Sequence, residues 1–422
     1  MILLACLVLL VALGLLERLA VGRARAAVPI RIHVNGTRGK STVTRLIAAA
    51  LREAGVPAVA KVTGTAPRLI LPDGSEHPIV RRAPASIREQ AWLVRRAARA
   101  GARALVVECM AVRPDLQWVS ERQMLQATIG VITNVRLDHT EAMGATLDQV
   151  AQSLANSVPR GGVLVTGDPR FAAAGAARCA AVGTRLVIAG AVERPADSAW
   201  LREDMATALA VTRELGIADE IAVRGMQKAA ADPGAATCGV TMIAGRRIAW
   251  VDATAANDPE SLDRIVMSPA GLKPCPTAVS DPSGGGVLAV YNHRADRPER
   301  LRTFARHSAT FRDCAAVLVT GDPPGLSLMM RARRLCPGPD IRFVPRRRLT
   351  AAAIGIVLGG TEDPLIIFCG NTRGFLRPFS ANAPDTDTGL RPSAGSRLGG
   401  ARGELVEPPT PDSGPRTPDS GP

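Results

Sequence analysis

An α/β fold with a mainly parallel sheet, entered through a phosphate-binding loop, is what this sequence predicts, and three observations predict it. The run Val28 to Ser41, V-P-I-R-I-H-V-N-G-T-R-G-K-S, passes from an alternating strand through a glycine turn into a helix. Short apolar runs of strand length then recur, many of them separated by helical stretches. With 422 residues, 46% of them hydrophobic, the chain can bury substantial cores in one to three domains.

The first element is apolar. Met1 to Leu16 carries no charge and is followed by Glu17, Arg18, Arg23, Arg25 and Arg31. At about 1.5 Å per residue this stretch falls slightly short of a ~30 Å span, so flanking side chains must help. Residues 1–22 are therefore expected to form an N-terminal membrane anchor. Because the arginines follow the apolar stretch, the positive-inside tendency places the N-terminus outside and the body of the chain in the cytoplasm, single-pass in the cell membrane. The rival is a cleaved signal peptide with Ala24-Arg25-Ala26 as its site, but it lacks the basic segment that normally opens one.

Next comes the loop. Val28, Ile30, Ile32 and Val34 alternate, Asn35 and Gly36 turn the chain, and Val43, Leu46, Ile47, Ala50 and Leu51 fall at helical spacing. Gly36 and Gly39 allow backbone N–H groups to approach phosphate oxygens, and the helix N-terminus favours negative charge. Lys40 supplies a point charge for the outer phosphates, while the Ser41 hydroxyl suits a magnesium shell. Only four of the 52 cationic side chains are lysines, which makes a lysine here by chance less expected. The full P-loop spacing asks for glycine at position 34, where Val34 stands; a plain strand-to-helix turn is the alternative.

Two further strands reach the same edge. Ala104 to Val107 ends in Glu108, and Thr128 to Val135 carries Thr133 and Asn134 before Asp138 and His139. In a parallel sheet the carboxyl ends of strands share one crevice, so Glu108 and His139 can both reach a metal bound to ATP. Taken singly, Glu108 reads equally as a salt-bridged strand end and His139 as a loop histidine.

G-T-R-G-K-S, the glutamate of V-V-E-C-M-A-V-R-P and T-N-V-R-L-D-H-T-E-A-M-G together resemble the central domain of Mur-type ATP-dependent amide ligases. Within that superfamily the chain is most similar to the ATP-dependent ligase subunit of poly-γ-glutamate capsule synthesis. The segments supporting this are T-G-T at Thr63 to Thr65, I-R-E-Q at Ile87 to Gln90, A-A-N-D-P-E-S at Ala255 to Ser261, N-H-R-A-D-R-P-E-R at Asn292 to Arg300 and C-G-N at Cys369 to Asn371. The likeness spans about residues 1–375. It implies ATP and Mg2+ as cofactors, with Gly36, Thr37, Arg38, Gly39, Lys40, Ser41, Thr42 and Asn134 around the nucleotide. It further implies that Ser41, Glu108 and His139 serve the metal, that Lys40, Glu108 and His139 form the catalytic set, and that Asn257 and Asp258 face the nucleotide. Arg294 and Arg297 would hold phosphate or an acidic substrate, whereas Arg300 and Arg302 read as a solvated basic helix. Asn257-Asp258-Pro259 also suits a plain turn.

The implied reaction joins a glutamate carboxylate, activated as an acyl phosphate, to a glutamate amine. The partners would be glutamate or growing polyglutamate, the membrane, and small membrane subunits of a capsule synthase complex. Two other readings stand beside it: a Mur or folylpolyglutamate-like ligase for another acidic substrate, and a nucleotide-binding assembly subunit without ligase activity. Nucleic acid is not expected despite a net charge of +14, because aromatic residues make up only 3% and no zinc-finger, basic-zipper or RNA-binding pattern appears. The eight cysteines, Cys109 and Cys275 among them, are scattered without a C-x-x-C pair, as in a reducing compartment.

Further strands are expected at Gly162 to Gly167, Leu186 to Gly190, Arg247 to Ala253, Val287 to Asn292, Ala315 to Thr320 and Leu365 to Cys369. They divide the body into a Mur ligase-like ATP-binding central domain at 28–245 and a smaller C-terminal α/β domain at 246–379. From 380 to 422 the sequence is poor in apolar residues and repeats T-P-D-S-G-P, so a disordered tail is expected. The family pattern also breaks after Asn371, where Thr372 and Arg373 lead towards this tail.

Overall fold

In the computed structural model, β1 (Ile30–Asn35) is the central strand of a parallel group and delivers the glycine loop at its carboxyl end. The structure describes residues 1–64, 67–81, 84–190, 199–230, 236–243, 245–267, 286–359 and 364–371. Thr65, Cys275, Thr372, Arg373 and the expected tail at 380–422 lie outside the described residues.

The remaining strands of the first sheet are β2 (Ala58–Val62), β3 (Arg68–Ile70), β4 (Glu76–Pro78), β5 (Ala104–Glu108), β6 (Ile129–Ile132), β7 (Val163–Thr166) and β8 (Arg185–Ile188). Their order is β4-β3-β2-β5-β1-β6-β7-β8, and only β2–β3 and β3–β4 pair antiparallel. Helices cover both faces, so a parallel strand must be apolar on both sides. In β5, Ala104 and Val106 enter the core with Ile47, Leu51 and Leu209, while Leu105 and Val107 enter the opposite core with Leu93, Val94 and Leu125.

A second sheet holds β9 (Thr237–Ile243), β10 (Arg246–Asp252), β11 (Val287–His293), β12 (Ala316–Gly321), β13 (Asp340–Phe343) and β14 (Leu365–Cys369), in the order β13-β12-β11-β14-β10-β9. All its pairs are parallel except the β9–β10 hairpin. Alternation again feeds two cores: Ala289 and Tyr291 face one, Leu288 and Val290 the other. Tyr291, Phe304 and Phe311 lock the first with ring centroids 5.4 to 5.9 Å apart.

Three expectations need adjustment. The border at 245/246 runs through the turn of the β9–β10 hairpin, so the second sheet begins with Thr237; β9 joins it by seven residue pairings with β10. The first helix, α1 (Ile2–Ala27), continues past residue 22 without a break. It is the one described helix long and apolar enough to cross a membrane, and its apolar window is wholly unburied. Its last turns belong to the body: Val21 and Ala24 are buried, Ala24 packing with Leu93 and Val94 of α3 (Glu89–Arg99), and Arg25 donates to the carbonyls of Gln123 and Met124 at 2.9 and 3.2 Å. Finally, position 34 needs no glycine, because Val34 is a buried strand residue in register with Glu108 and Val131, and the turn starts at Gly36.

Candidate active site

The loop between β1 and α2 (Lys40–Glu53) is shaped by two residues with backbones that side chains resist. Gly36 has φ 125° and Gly39 φ 78°. A Cβ at Gly36 would lie 2.1 Å from Thr133 Oγ1, and one at Gly39 would lie 2.3 Å from Asp204 Oδ1. The β6 side closes the loop. The Thr37 N–H donates to the Asn134 carbonyl (3.0 Å), the Arg38 N–H donates to Asn134 Oδ1 (2.9 Å), and Asn134 Nδ2 donates back to the Arg38 carbonyl (3.1 Å).

This preformed cradle is charged from within. Lys40 Nζ lies over the loop, donating to the carbonyls of Gly36 (2.7 Å) and Thr37 (3.1 Å). Burial draws its ammonium below the ordinary value, opposed by Glu108. Ser41 donates to Glu108 Oε2 at 2.8 Å, and the same oxygen accepts the Thr63 N–H at 2.6 Å, so the expected hydroxyl and carboxylate meet. Among the described residues no three His, Cys, Asp or Glu side chains converge as a metal cluster. Ser41 and Glu108 nevertheless present adjacent hard oxygens, the donor type that suits Mg2+, whose remaining positions water and phosphate normally fill.

His139 shares the cleft but faces an arginine. Its backbone is left-handed (φ 50°), and Arg297 Nη1 lies 3.0 Å from Nε2. Burial lowers its pKa to about 4, with Asp138 opposing and Arg297 and Arg300 reinforcing, so the ring is neutral. Beside it, Asp138 is held down at about 2: burial works against ionisation, and Arg38, His139 and Arg300 overcome it.

The second sheet supplies the other wall. A cleft of about 800 Å³ is lined by Thr37 to Thr42, Glu108, Asn134 and His139 from the first sheet, and by Asn257, Arg294 and Arg297 from the second. Asn257 Oδ1 is buried without a hydrogen-bond partner, an open acceptor in that wall. Arg38 crosses between the two halves, donating to Asp258 Oδ2 at 2.6 Å and Asp138 Oδ2 at 2.8 Å.

Two expectations fail here. Asp258 does not face the cleft; it is 1% exposed, and besides Arg38 it accepts from the Ser261 N–H and hydroxyl at 2.8 and 2.6 Å, the Asx-type closure that starts the helix Pro259–Met267. Arg300 is not a solvated helix residue, because its side chain is only 13% exposed and lines the cleft, 3.7 Å from Asp138. Arg302 does pair along its helix with Glu299, at 2.5 Å. Other lining residues had no local signal: Asp204 presses on Gly39 from the helix Ala199–Glu214, with burial raising its carboxyl well above the ordinary range. Arg136, buried, donates to Ser261 at 2.6 Å.

Both halves of the chain are similar to known proteins. Residues 34–202 match the family model of the Mur ligase middle domain, and residues 239–382 match that of the poly-gamma-glutamate synthase CapB C-terminal domain. The chain is 34% identical over 330 residues to PGA synthase CapB of Bacillus subtilis (strain 168), covering 76% of this chain and 82% of that one. It is 36% identical over 328 residues to the capsule biosynthesis protein CapB of Bacillus anthracis, covering 75% and 68%. Among solved structures, the fold is similar to a folylpolyglutamate synthase of Mycobacterium tuberculosis complexed with ADP and AMPPCP (TM-score 0.58, 17% identity, 85% of this chain and 92% of that one). A bifunctional folylpolyglutamate synthase/dihydrofolate synthase of Yersinia pestis complexed with AMPPNP and a manganese ion is similar too (TM-score 0.54, 18%, 84% and 90%). At that identity these two establish the fold alone.

Two α/β layers closing on a phosphate loop, together with these matches, define a Mur-type ATP-dependent ligase. More narrowly, the chain belongs to the CapB family of poly-gamma-glutamate synthases.

Proposed function

We propose that this chain uses ATP to activate a glutamate side-chain carboxylate as an acyl phosphate and joins it to the amine of another glutamate, lengthening poly-γ-glutamate. The observation that carries this reading is the placement of the Lys40 loop and the Ser41–Glu108 pair against Arg294 and Arg297 of the opposite sheet. One wall suits a triphosphate; the other suits carboxylate, which the arginine fork binds with paired hydrogen bonds.

In the first step a carboxylate oxygen bonds to the γ-phosphorus as the bridging P–O bond breaks, and ADP leaves. The amine nitrogen then attacks the acyl carbon, phosphate departs with the C–O electron pair, and the nitrogen gives up a proton. Lys40, freed from its two loop carbonyls, neutralises charge gathering on the transferred oxygens. Ser41, Glu108 and His139 are the residues that would hold Mg2+, which when bound offsets phosphate charge. Arg38, Gly36, Gly39, Thr37, Thr42 and Asn134 shape the nucleotide site. Asn257, with its open carbonyl oxygen, is a partner for nucleotide N–H or hydroxyl groups. The chemistry is mostly positioning and electrostatics, and the neutral His139 adds no charge repulsion against a cation.

In this reading α1 anchors the enzyme, with its body in the cytoplasm at the membrane surface, where small membrane subunits would receive the polymer. The test is ADP release by the detergent-purified chain with magnesium, with and without glutamate. Glutamate should stimulate release, and Lys40→Ala should reduce it by at least about a hundredfold. Release indifferent to glutamate and to Lys40 would remove the ligase reading.

A further inference from the structure

Beside the nucleotide cleft lies a second cavity of about 260 Å³, big enough for an amino acid and too small for a nucleotide. The two share Lys40, Glu108, His139 and Arg300, so they meet where the transferred phosphoryl group would lie. The smaller cavity's own wall is mixed: Ala85, Met110, Val112 and Met143 give it an apolar side, and Asn35, Asp138 and Arg81 a polar one.

Each of the two arginines shares its neighbouring carboxylate with another cation. Arg300 Nε is buried without a hydrogen-bond partner. Its carboxylate neighbour, Asp138 at 3.7 Å, already accepts Arg38 at 2.8 Å and the His139 N–H at 2.9 Å. Burial pulls the Arg300 guanidinium below its ordinary value, against Asp138 and with Arg38 and Arg297 adding to the effect. Arg81 binds Glu89 through two hydrogen bonds of 2.7 and 3.1 Å, but Glu89 also holds the buried Lys61 at 2.8 Å. One carboxylate therefore faces two cations. Burying positive charge without an anion is costly, so such places are where an acidic ligand gains most.

A cavity with a cation at the phosphate junction, a second cation in its wall and methyl and thioether groups alongside matches a dicarboxylic amino acid: a carboxylate at each end and two methylenes between. We infer that the smaller cavity holds the glutamyl unit whose side-chain carboxylate is activated, with Arg300 binding that carboxylate and Arg81 the α-carboxylate. This rests on the ligase reading for the fate of the bound carboxylate, but not for its binding.

The test is calorimetric titration of glutamate into the full chain in detergent, with magnesium and a non-hydrolysable ATP analogue, alongside nucleotide affinity and glutamate-dependent ADP release. Arg300→Ala and Arg81→Ala should each weaken glutamate binding by about tenfold or more, the loss expected for a charge-assisted pair, and Arg81→Ala, at a residue outside the nucleotide cleft, should leave nucleotide affinity unchanged. Arg300→Lys should recover part of it. Because Arg300 is buried, Ala85→Trp, an exposed wall position, guards against misfolding; it should block glutamate and spare nucleotide. If wild-type chain binds glutamate and loses it in these variants yet never releases ADP, the site stands and the ligase reading falls. If glutamate drives ADP release but all four variants keep wild-type glutamate affinity, the ligase reading stands and this site is refuted. Loss of nucleotide affinity in Arg300→Ala with glutamate affinity intact also refutes it, by assigning Arg300 to phosphate.

Discussion

His139 and Asp138 both make the folded chain sensitive to acid, each over its own pH range. With His139 at about 4 in the folded chain and 6.5 ordinarily, the unfolded chain takes up a proton between those values that the folded chain refuses. Stability therefore falls as pH drops from 6.5 towards 4. Asp138, at about 2 against an ordinary 3.8, adds stability that is complete above the ordinary value and is lost as pH falls through 2. His139→Asn keeps a residue that tolerates the left-handed backbone and removes the first effect. Urea unfolding at pH 7 and 4.5 should show a smaller acid loss in the variant than in wild type; equal losses would mean His139 titrates normally. The positions of Lys40, Ser41 and Glu108, at a helix start and a strand end that meet, were legible from strand, loop and helix periodicity. The placement of Arg300 and Asp258 was not: one was hidden among 48 arginines and the other resembled an ordinary turn, and only sequence-distant partners, Asp138 and Arg38, fix where they lie.

At the scale of elements, the β1–α2 turn stores its specificity in glycine. Gly36→Ala combines a positive φ with a 2.1 Å approach to Thr133, whereas Gly55→Ala has a positive φ (71°) and open space. The second should cost about 1 kcal/mol. The first should cost more, about 2–3 kcal/mol, and abolish nucleotide binding. Equal losses with binding retained would show that the loop relaxes around a side chain. In the second sheet, Tyr291→Ala removes the centre of the ring cluster with Phe304 and Phe311 and should cost about 3–5 kcal/mol by urea titration. Among the described residues, nine strands read as apolar runs appear with ends shifted by a few residues at most. The five that escaped notice, β2, β3, β4, β9 and β13, are short, interrupted by glycine or carry charge. In β2 the buried Lys61 is stabilised by Glu89, 28 positions away, which no local pattern reveals.

For the whole molecule, α1 has two parts with different consequences. Leu3 to Leu16 is exposed and apolar, while Val21, Ala24 and Arg25 are fixed to the body. Removing residues 2–16 should leave melting unchanged and release the chain from the membrane fraction; removing 2–27 should lower stability as well. If the shorter deletion destabilises the body, or leaves it with the membrane, the anchor assignment is wrong. Arg38 joins the two halves by charge, and Arg38→Ala leaves Asp258 buried without its cation, so a loss of about 3 kcal/mol is expected, together with weaker nucleotide binding.

The central claim is that phosphate leaves by way of the substrate carboxylate. The direct measurement is mass analysis of the phosphate released from glutamate carrying 18O in its side-chain carboxylate, with ATP and magnesium. One labelled oxygen in each phosphate, lost together with turnover in Lys40→Ala and Glu108→Ala, is the expected result. Unlabelled phosphate would show that water takes the phosphoryl group, and would contradict acyl-phosphate ligation by this chain.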